Sequence, residues 1–366
     1  MNYIYNIIIF GTGSTAERLS KNLNSNINIL CYLDNDDKKW GNKFKGKLIL
    51  EPKEINNLKY DYVVIASQFN SDIFSQLIKY GVSSCKIFEY LDFLNNVYNP
   101  FEYKINLFEQ NYLDYEVLIT GISYFVTGID ENILDKKGIN FAFDSQDLYY
   151  DYSISKYLLE NYNTNIRYAI IGLNYYSFQY DLSLSSMKDN IKLYYPKLKK
   201  SNNFDLKENN YNRLVINKNI ANKILIINNN NGKYKLNNVL IPLAQQKNLY
   251  EVGRNQAELD CNKNYPQTVK KNKIILKKYL DLLKECNIAP IIVICPTSKY
   301  YYENFSERIR NEFFQIINEI KKEYDFQYID YFKSKLFDDN MFYDVSHLTY
   351  EGGKKFTNIL NEVIKW

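Results

Sequence analysis

Histidine occurs once in the 366 residues, at His347, so imidazole chemistry has a single candidate and a histidine-rich metal site is excluded. Cysteine is scarce and odd in number. Cys31, Cys85, Cys261, Cys286 and Cys295 show no CxxC or Cys/His spacing, and Cys31 and Cys295 close apolar, strand-like runs. Neither a disulfide framework nor a metal site is expected, and the pattern fits buried thiols in a reducing compartment. No run of about 18 apolar residues occurs, and the N-terminus reads directly into YNIIIFGTG without a basic region, a long apolar stretch or a cleavage site. The expectation is a cytoplasmic protein with no transmembrane segment. An excess of one charge is also missing: 46 basic and 42 acidic side chains are spread along the chain for a net charge of +4, so no nucleic-acid partner is implied.

What the sequence does have is tyrosine, 36 of them, with abundant Asn, Lys and Ile in every segment. Aromatics so evenly spread reflect a compositional bias rather than a stacking surface. A chain of 366 residues exceeds what one core usually supports, and the 46% hydrophobic content is ordinary for globular proteins, so two domains are expected.

Residues 5–10 form a continuous apolar run, followed by a glycine turn and a helical pattern from Ser14 to about Leu23. INILCYL ends at Asp34, KLIL makes a minor strand, and YDYVVIAS at 60–67 precedes a helix ending near Gly81 and a last strand, CKIFEY. This alternation predicts a small parallel-sheet domain with crossover helices over 1–95. The period is lost over 96–113, read as a linker. Alternation restarts in YEVLIT (115–120), INFAF (139–143), a helix over 147–162, IRYAIIG (166–172), a helix over 267–286, APIIVIC (289–295), a helix over 305–323, FQYIDY and a terminal helix. That predicts a second, five-stranded parallel α/β domain over 114–366, with YEVLIT central and flanked by INFAF and IRYAIIG. The polar stretch 181–266 reads as an insertion with weak strand-like segments, and Asn228–Asn231 as a loop tip.

His347 lies in YDVSHLTYEGGKKF, three residues after Asp344. A surface histidine beside a chance aspartate is the plain alternative. The DxxHLxxxG string, however, puts carboxylate and imidazole on one turn, with Nδ1 facing the acid and Nε2 free for a nucleophile. That partner is expected at the carboxyl end of a strand, and Ser123 in LITGISYFVTG is so placed, Gly121 permitting the turn; the alternative is a helix N-cap. Asn174, directly after the strand YAIIG in GLNYYSF, can present an amide to an oxyanion, or simply occupy a turn. Weaker signals are Thr297 and Ser298 at the rim and Arg254 in VGRNQAELD, which read more simply as loop residues.

These blocks resemble the SGNH (GDSL-like) hydrolase superfamily. Gly121-Ile122-Ser123 stands for its serine block, Gly172-Leu173-Asn174 for its asparagine block and Asp344-Val345-Ser346-His347 for its terminal block, in the family's order. The resemblance implies a flavodoxin-like three-layer α/β fold, a Ser123, His347 and Asp344 triad, and an oxyanion amide from Asn174. Where the family has a second-block glycine this chain has NFAFDSQDLYY, so Ser145 would supply the second oxyanion N–H, and the usual acidic residue of the serine block is missing. The pattern is closer to the D-alanyl transfer proteins and the polysaccharide O-acetyl-handling branch than to secreted lipases. It implies a serine esterase or O-acyltransferase that needs no cofactor for its chemistry, with a carbohydrate or nucleotide-sugar substrate, an acyl donor, and room for homo-oligomers.

FGTGSTAERL carries Gly11-x-Gly13-x-x-Ala16 between strand and helix, with Asp34 closing the second strand. Backbone N–H groups at Gly11, Gly13 and Ser14 can meet a phosphate, and Asp34 a ribose hydroxyl. With YLDNDDKKWGNKFKGKLILEP this segment resembles the small Rossmann-like domain of bacterial sugar acyltransferases, implying a bound nucleotide or nucleotide-sugar, or a purely structural role. Two other readings stay open: a non-catalytic SGNH-like glycan-binding or scaffold protein, and a sugar-nucleotide-modifying enzyme centred on the first domain, although no YxxxK set follows it at a suitable place.

Overall fold

The computed structural model describes residues 3–97, 99–200, 202–203, 210–226 and 241–366. The chain forms two compact units: Met1–Pro100 with Ser186–Pro196 and Asn203–Asn238, and Phe101–Ser185 with Lys197–Asn202 and Val239–Trp366.

In the first unit, β1 (Tyr5–Phe10), β2 (Ile27–Leu33), β3 (Lys43–Phe44), β4 (Lys47–Leu50), β5 (Tyr62–Ile65) and β6 (Ile87–Glu89) form one sheet in the order β3-β4-β2-β1-β5-β6. Only the β3–β4 pair is antiparallel. The strands are continuous apolar runs because both faces are covered. Ile7, Ile9 and Val64 pack against Ala16 and Leu19 of the helix Ser14–Ser20 on one face. Ile8, Phe10, Val63 and Ile65 pack against Ile73 and Leu77 of the helix Asn70–Lys79 on the other. Setting β3 aside, the parallel strands follow the 3-2-1-4-5 order of a Rossmann half, with the order reversing between β1 and β5.

In the second unit, β7 (Val117–Gly121), β8 (Gly138–Asn140), β9 (Tyr168–Leu173), β10 (Ala289–Ile294) and β11 (Gln327–Asp330) are all parallel, in the order β11-β10-β9-β7-β8. This is the flavodoxin-like 2-1-3-4-5 order. The helices Leu148–Asn161 and Pro266–Glu285 pack on each other, as do Tyr350–Val363 and the short helix Tyr124–Gly128. The unit is a three-layer α/β sandwich. β7 is flanked by β8 and β9 as the periodicity predicts, but β9, not β7, is the middle strand.

Two segments depart from the sequence reading. Residues 96–113 include the helix Pro100–Asn111, whose Phe101, Ile105 and Phe108 are buried at i, i+4 and i+7. The stretch 181–266 is not one insertion: 186–196 and 203–238 belong to the first unit and 239–266 to the second. Its described parts are helical, at Ile191–Leu198, Asn210–Ile224 and Leu249–Cys261, rather than strand-like. Asn228–Asn231 lies outside the described residues. Among the described residues no helix is long and apolar enough to cross a membrane.

Candidate active site

β7 and β9 run in register and end together, with Gly121 opposite Gly172. Gly121 has φ +152°, and a Cβ there would lie 2.9 Å from the Gly172 backbone; a Cβ on Gly172 would lie 2.4 Å from the Phe125 ring. Only glycine lets the two strand ends and Phe125 approach this closely. Beneath the turn, burial pushes the Asp151 carboxyl well up, and Gln146 and the Gly121 backbone N–H are its hydrogen-bond partners. Ser123 and Asn174 therefore emerge side by side, each two residues beyond its paired glycine.

Ser123 precedes the helix Tyr124–Gly128, but its hydroxyl makes no capping bond. The hydroxyl meets His347 Nε2 at 2.8 Å instead. On the other side of the ring, Nδ1 lies 2.9 Å and 3.0 Å from the two carboxylate oxygens of Asp344. Asp344 Oδ1 also accepts the backbone N–H groups of Ser346 and His347, both at 2.8 Å, so the acid folds its own turn and aims the imidazole. The turn is clamped from β10: Ser298 donates its N–H and its hydroxyl to the Val345 carbonyl at 3.1 and 2.6 Å. Thr297 donates to the Phe332 carbonyl at 3.0 Å. Ser298 thus supports the loop that carries the histidine, whereas Thr297 ties the chain after β10 to the chain after β11.

Burial works against the Asp344 charge, but the His347 ring and the two backbone N–H groups outweigh it and hold the carboxyl below its ordinary range. Burial likewise disfavours a charged His347, yet the bond and charge of Asp344, with the charges of Asp144 and Asp260, raise the imidazole above its ordinary 6.5. The His347 side chain is 18% exposed and that of Asp344 40%, so the pair is partly open to solvent.

Asn174 is almost fully buried, and among the described residues its side-chain oxygen has no hydrogen-bond partner. Ser145 sits at φ +61° in the turn after β8, and its carbonyl accepts from the Tyr180 hydroxyl at 3.0 Å. Among the described residues no hydrogen bond links Ser145 to Ser123, Asn174 or His347. Arg254 is exposed. Residues the sequence reading passed over crowd the histidine: the Tyr124 and Tyr343 rings lie 4.7 and 5.4 Å from the imidazole, centroid to centroid.

In the first unit, the glycine turn borders a cleft of about 650 Å³ lined by Gly11, Gly13, Ser14, Asp34, Lys39 and Phe69, among others. It opens at the carboxyl ends of β1 and β5, where the strand order reverses and α/β sheets bind ligands. Gly11 has φ +115°, and a Cβ there would lie 2.5 Å from the Ala66 carbonyl oxygen; around Gly13 the corresponding space is open. Burial opposes the charge on Asp34, but the Thr12 hydroxyl, the Asp36 N–H and Lys39 outweigh it and keep the carboxyl low. Lys39 stands 3.0 Å away, so Asp34 is held by both Thr12 and Lys39.

Residues 3–88 match the protein family described as "C2185-like, N-terminal", and residues 276–361 match the family "DltD protein". The second match spans β10, β11, Asp344 and His347; Ser123 and Asn174 lie outside it. No curated protein matches the chain. Among solved structures, UDP-D-quinovosamine 4-dehydrogenase from Vibrio fischeri is 25% identical over 25% of this chain and 84% of its own, with a TM-score of 0.20. A protein assigned as a platelet activating factor from Streptococcus pneumonia is 10% identical over 80% of this chain and 98% of its own, with a TM-score of 0.40.

Proposed function

We propose that the second unit is a serine-dependent esterase or O-acyltransferase working through a Ser123 acyl-enzyme. The observation that carries this reading is the continuous line Ser123 Oγ, His347 Nε2, His347 Nδ1, Asp344, with contacts of 2.8 and 2.9 Å. In the first half-reaction Ser123 Oγ attacks the acyl carbonyl carbon while His347 Nε2 takes its proton. Asp344 holds the tautomer and stabilises the imidazolium. The oxyanion draws on the Ser123 backbone N–H and the Asn174 amide. His347 then returns the proton to the leaving oxygen as the C–O bond breaks. Water or a sugar hydroxyl resolves the acyl-enzyme by the same steps in reverse.

The substrate proposed is a glycan precursor or nucleotide-linked sugar of surface polysaccharide or glycoconjugate synthesis; for the first unit, taken by itself, the cleft is proposed to hold a nucleotide or nucleotide-sugar. The DltD family match supports acyl transfer, and the cleft at the β1/β5 reversal supports a phosphate-bearing ligand. Intact-mass measurement after incubation with a panel of activated acyl donors tests the reading. The expected result is one acyl mass increment that disappears in Ser123→Ala; an increment persisting in that variant would refute it.

A further inference from the structure

Tyr124, the residue after Ser123, lays its ring against the imidazole with 33° between the planes, while Tyr343 stacks at 11°. The imidazole, aimed by Asp344, is thus flanked by both rings, and what holds Tyr124 bears on its plane. Its hydroxyl is deeply buried among other hydroxyls: it donates to Tyr301 at 3.5 Å and shares hydrogen bonds with Tyr176 and Ser346. Tyr301 donates to Asp260 Oδ2 at 2.9 Å. Asp260 also accepts from Gln256 at 2.9 Å and pairs with Lys263 at 3.3 Å, and Lys263 lies 4.8 Å from the Tyr176 ring centroid.

The chain of hydroxyls has a direction. Burial raises Tyr124, Tyr176 and Tyr301 far above the ordinary phenol range, so each keeps its one proton. A carboxylate at one end can only accept. Tyr301 therefore gives its proton to Asp260, and its oxygen is left to receive that of Tyr124. Each bond polarises the next in a buried setting of low dielectric. Asp260 is 8% exposed and comes from the helix Leu249–Cys261, which is seated so closely that a Cβ on Gly253 would lie 2.2 Å from the Tyr300 carbonyl oxygen.

We propose that Asp260 is a positioning residue for the Ser123–His347 pair, acting through Tyr301 and Tyr124 to fix the imidazole plane and adding its charge to the field on that ring. The helix Leu249–Cys261 thereby becomes part of the active centre. The inference rests on the acyl-enzyme reading above. The groups facing His347 are Asp344 on its own turn, Asp144 on the turn after β8, Tyr124, Tyr343 and, behind the tyrosines, Asp260. All three carboxylates favour the imidazolium, so removing one charge lowers the imidazole midpoint.

Because the chain has one histidine, histidine-selective NMR reads that midpoint without assignment and without a substrate. In Asp260→Asn the titration midpoint should fall below that of the wild type. An unchanged midpoint in a variant that keeps a single thermal transition overturns the inference. Tyr301→Phe keeps the ring and the Asp260 charge but cuts the line of hydroxyls; it should slow fluorophosphonate labelling of Ser123 about tenfold, the worth of one buried hydrogen bond. Wild-type labelling in Tyr301→Phe overturns the inference as well, and this variant decides the matter if Asp260→Asn does not fold. Failure of wild-type Ser123 to label would defeat the acyl-enzyme reading, while the NMR midpoint would still report whether Asp260 is coupled to His347.

Discussion

A serine between a strand and a helix ordinarily spends its hydroxyl on the first helical N–H groups; that of Ser123 goes to His347 Nε2. Ser123→Ala and His347→Ala should each lower turnover by several orders of magnitude, and the double variant should be little worse than either, because the pair acts as a unit. Asp344→Asn should cost somewhat less, and Asn174→Ala about 100-fold to 1000-fold if its amide serves the oxyanion. The pH dependence follows from the direction of the His347 shift. The working imidazole is neutral, so serine reactivity should fall as pH drops through a midpoint lying above the ordinary 6.5. Stability runs the other way. The charged pair with Asp344 contributes fully below the unfolded histidine value and fades as pH rises through the folded one, so the gap in denaturation midpoint between wild type and His347→Gln should narrow with rising pH. At this scale Ser123, Asp344 and His347 were legible because a lone histidine three residues after an acid limits the choices. Asp260 and Tyr124 were not, since one acid among 42 acidic residues and one tyrosine among 36 carry no local mark.

At the scale of elements, the site depends on two strand ends brought closer than side chains allow. Gly172→Ala would drive a methyl group into the Phe125 ring, and overpacking of this kind costs about 1–3 kcal/mol. We expect a lower urea midpoint for this variant together with slower Ser123 labelling, since Phe125 lies in the helix that Ser123 begins. A normal midpoint and normal labelling would show that the close approach is dispensable. The strands were readable because buried parallel strands are unbroken apolar runs. The helix Pro100–Asn111 went unread because only Phe101, Ile105 and Phe108 mark its buried face among polar residues. Leu249–Cys261 was hidden similarly: its buried residues include Gly253, Ala257 and Asp260, too small or too polar to show a hydrophobic stripe.

For the whole molecule, the two parallel sheets were open to inference from alternation, but the central place of β9 in the second and the return of 186–196 and 203–238 to the first unit were not. That return is made by contacts distant in sequence, such as Arg213 on the buried Glu89 at the end of β6, and Asn217 on the Glu89 backbone N–H. The cleft beside Gly11 and Gly13 gives a prediction at the same scale. A nucleotide or nucleotide-sugar should raise the thermal midpoint of the full chain, and Gly13→Asp, which puts a carboxylate into the open space beside the turn, should abolish the rise. Calorimetry with both ligand classes checks it, and uniform absence of binding would leave the first unit a structural role. The central claim, that Ser123 is a nucleophile activated by His347, is met most directly by fluorophosphonate labelling of the full chain followed by peptide mapping. The account predicts a single label on Ser123 that is lost in Ser123→Ala and nearly lost in His347→Ala; a label on another serine, or undiminished labelling without His347, would contradict it.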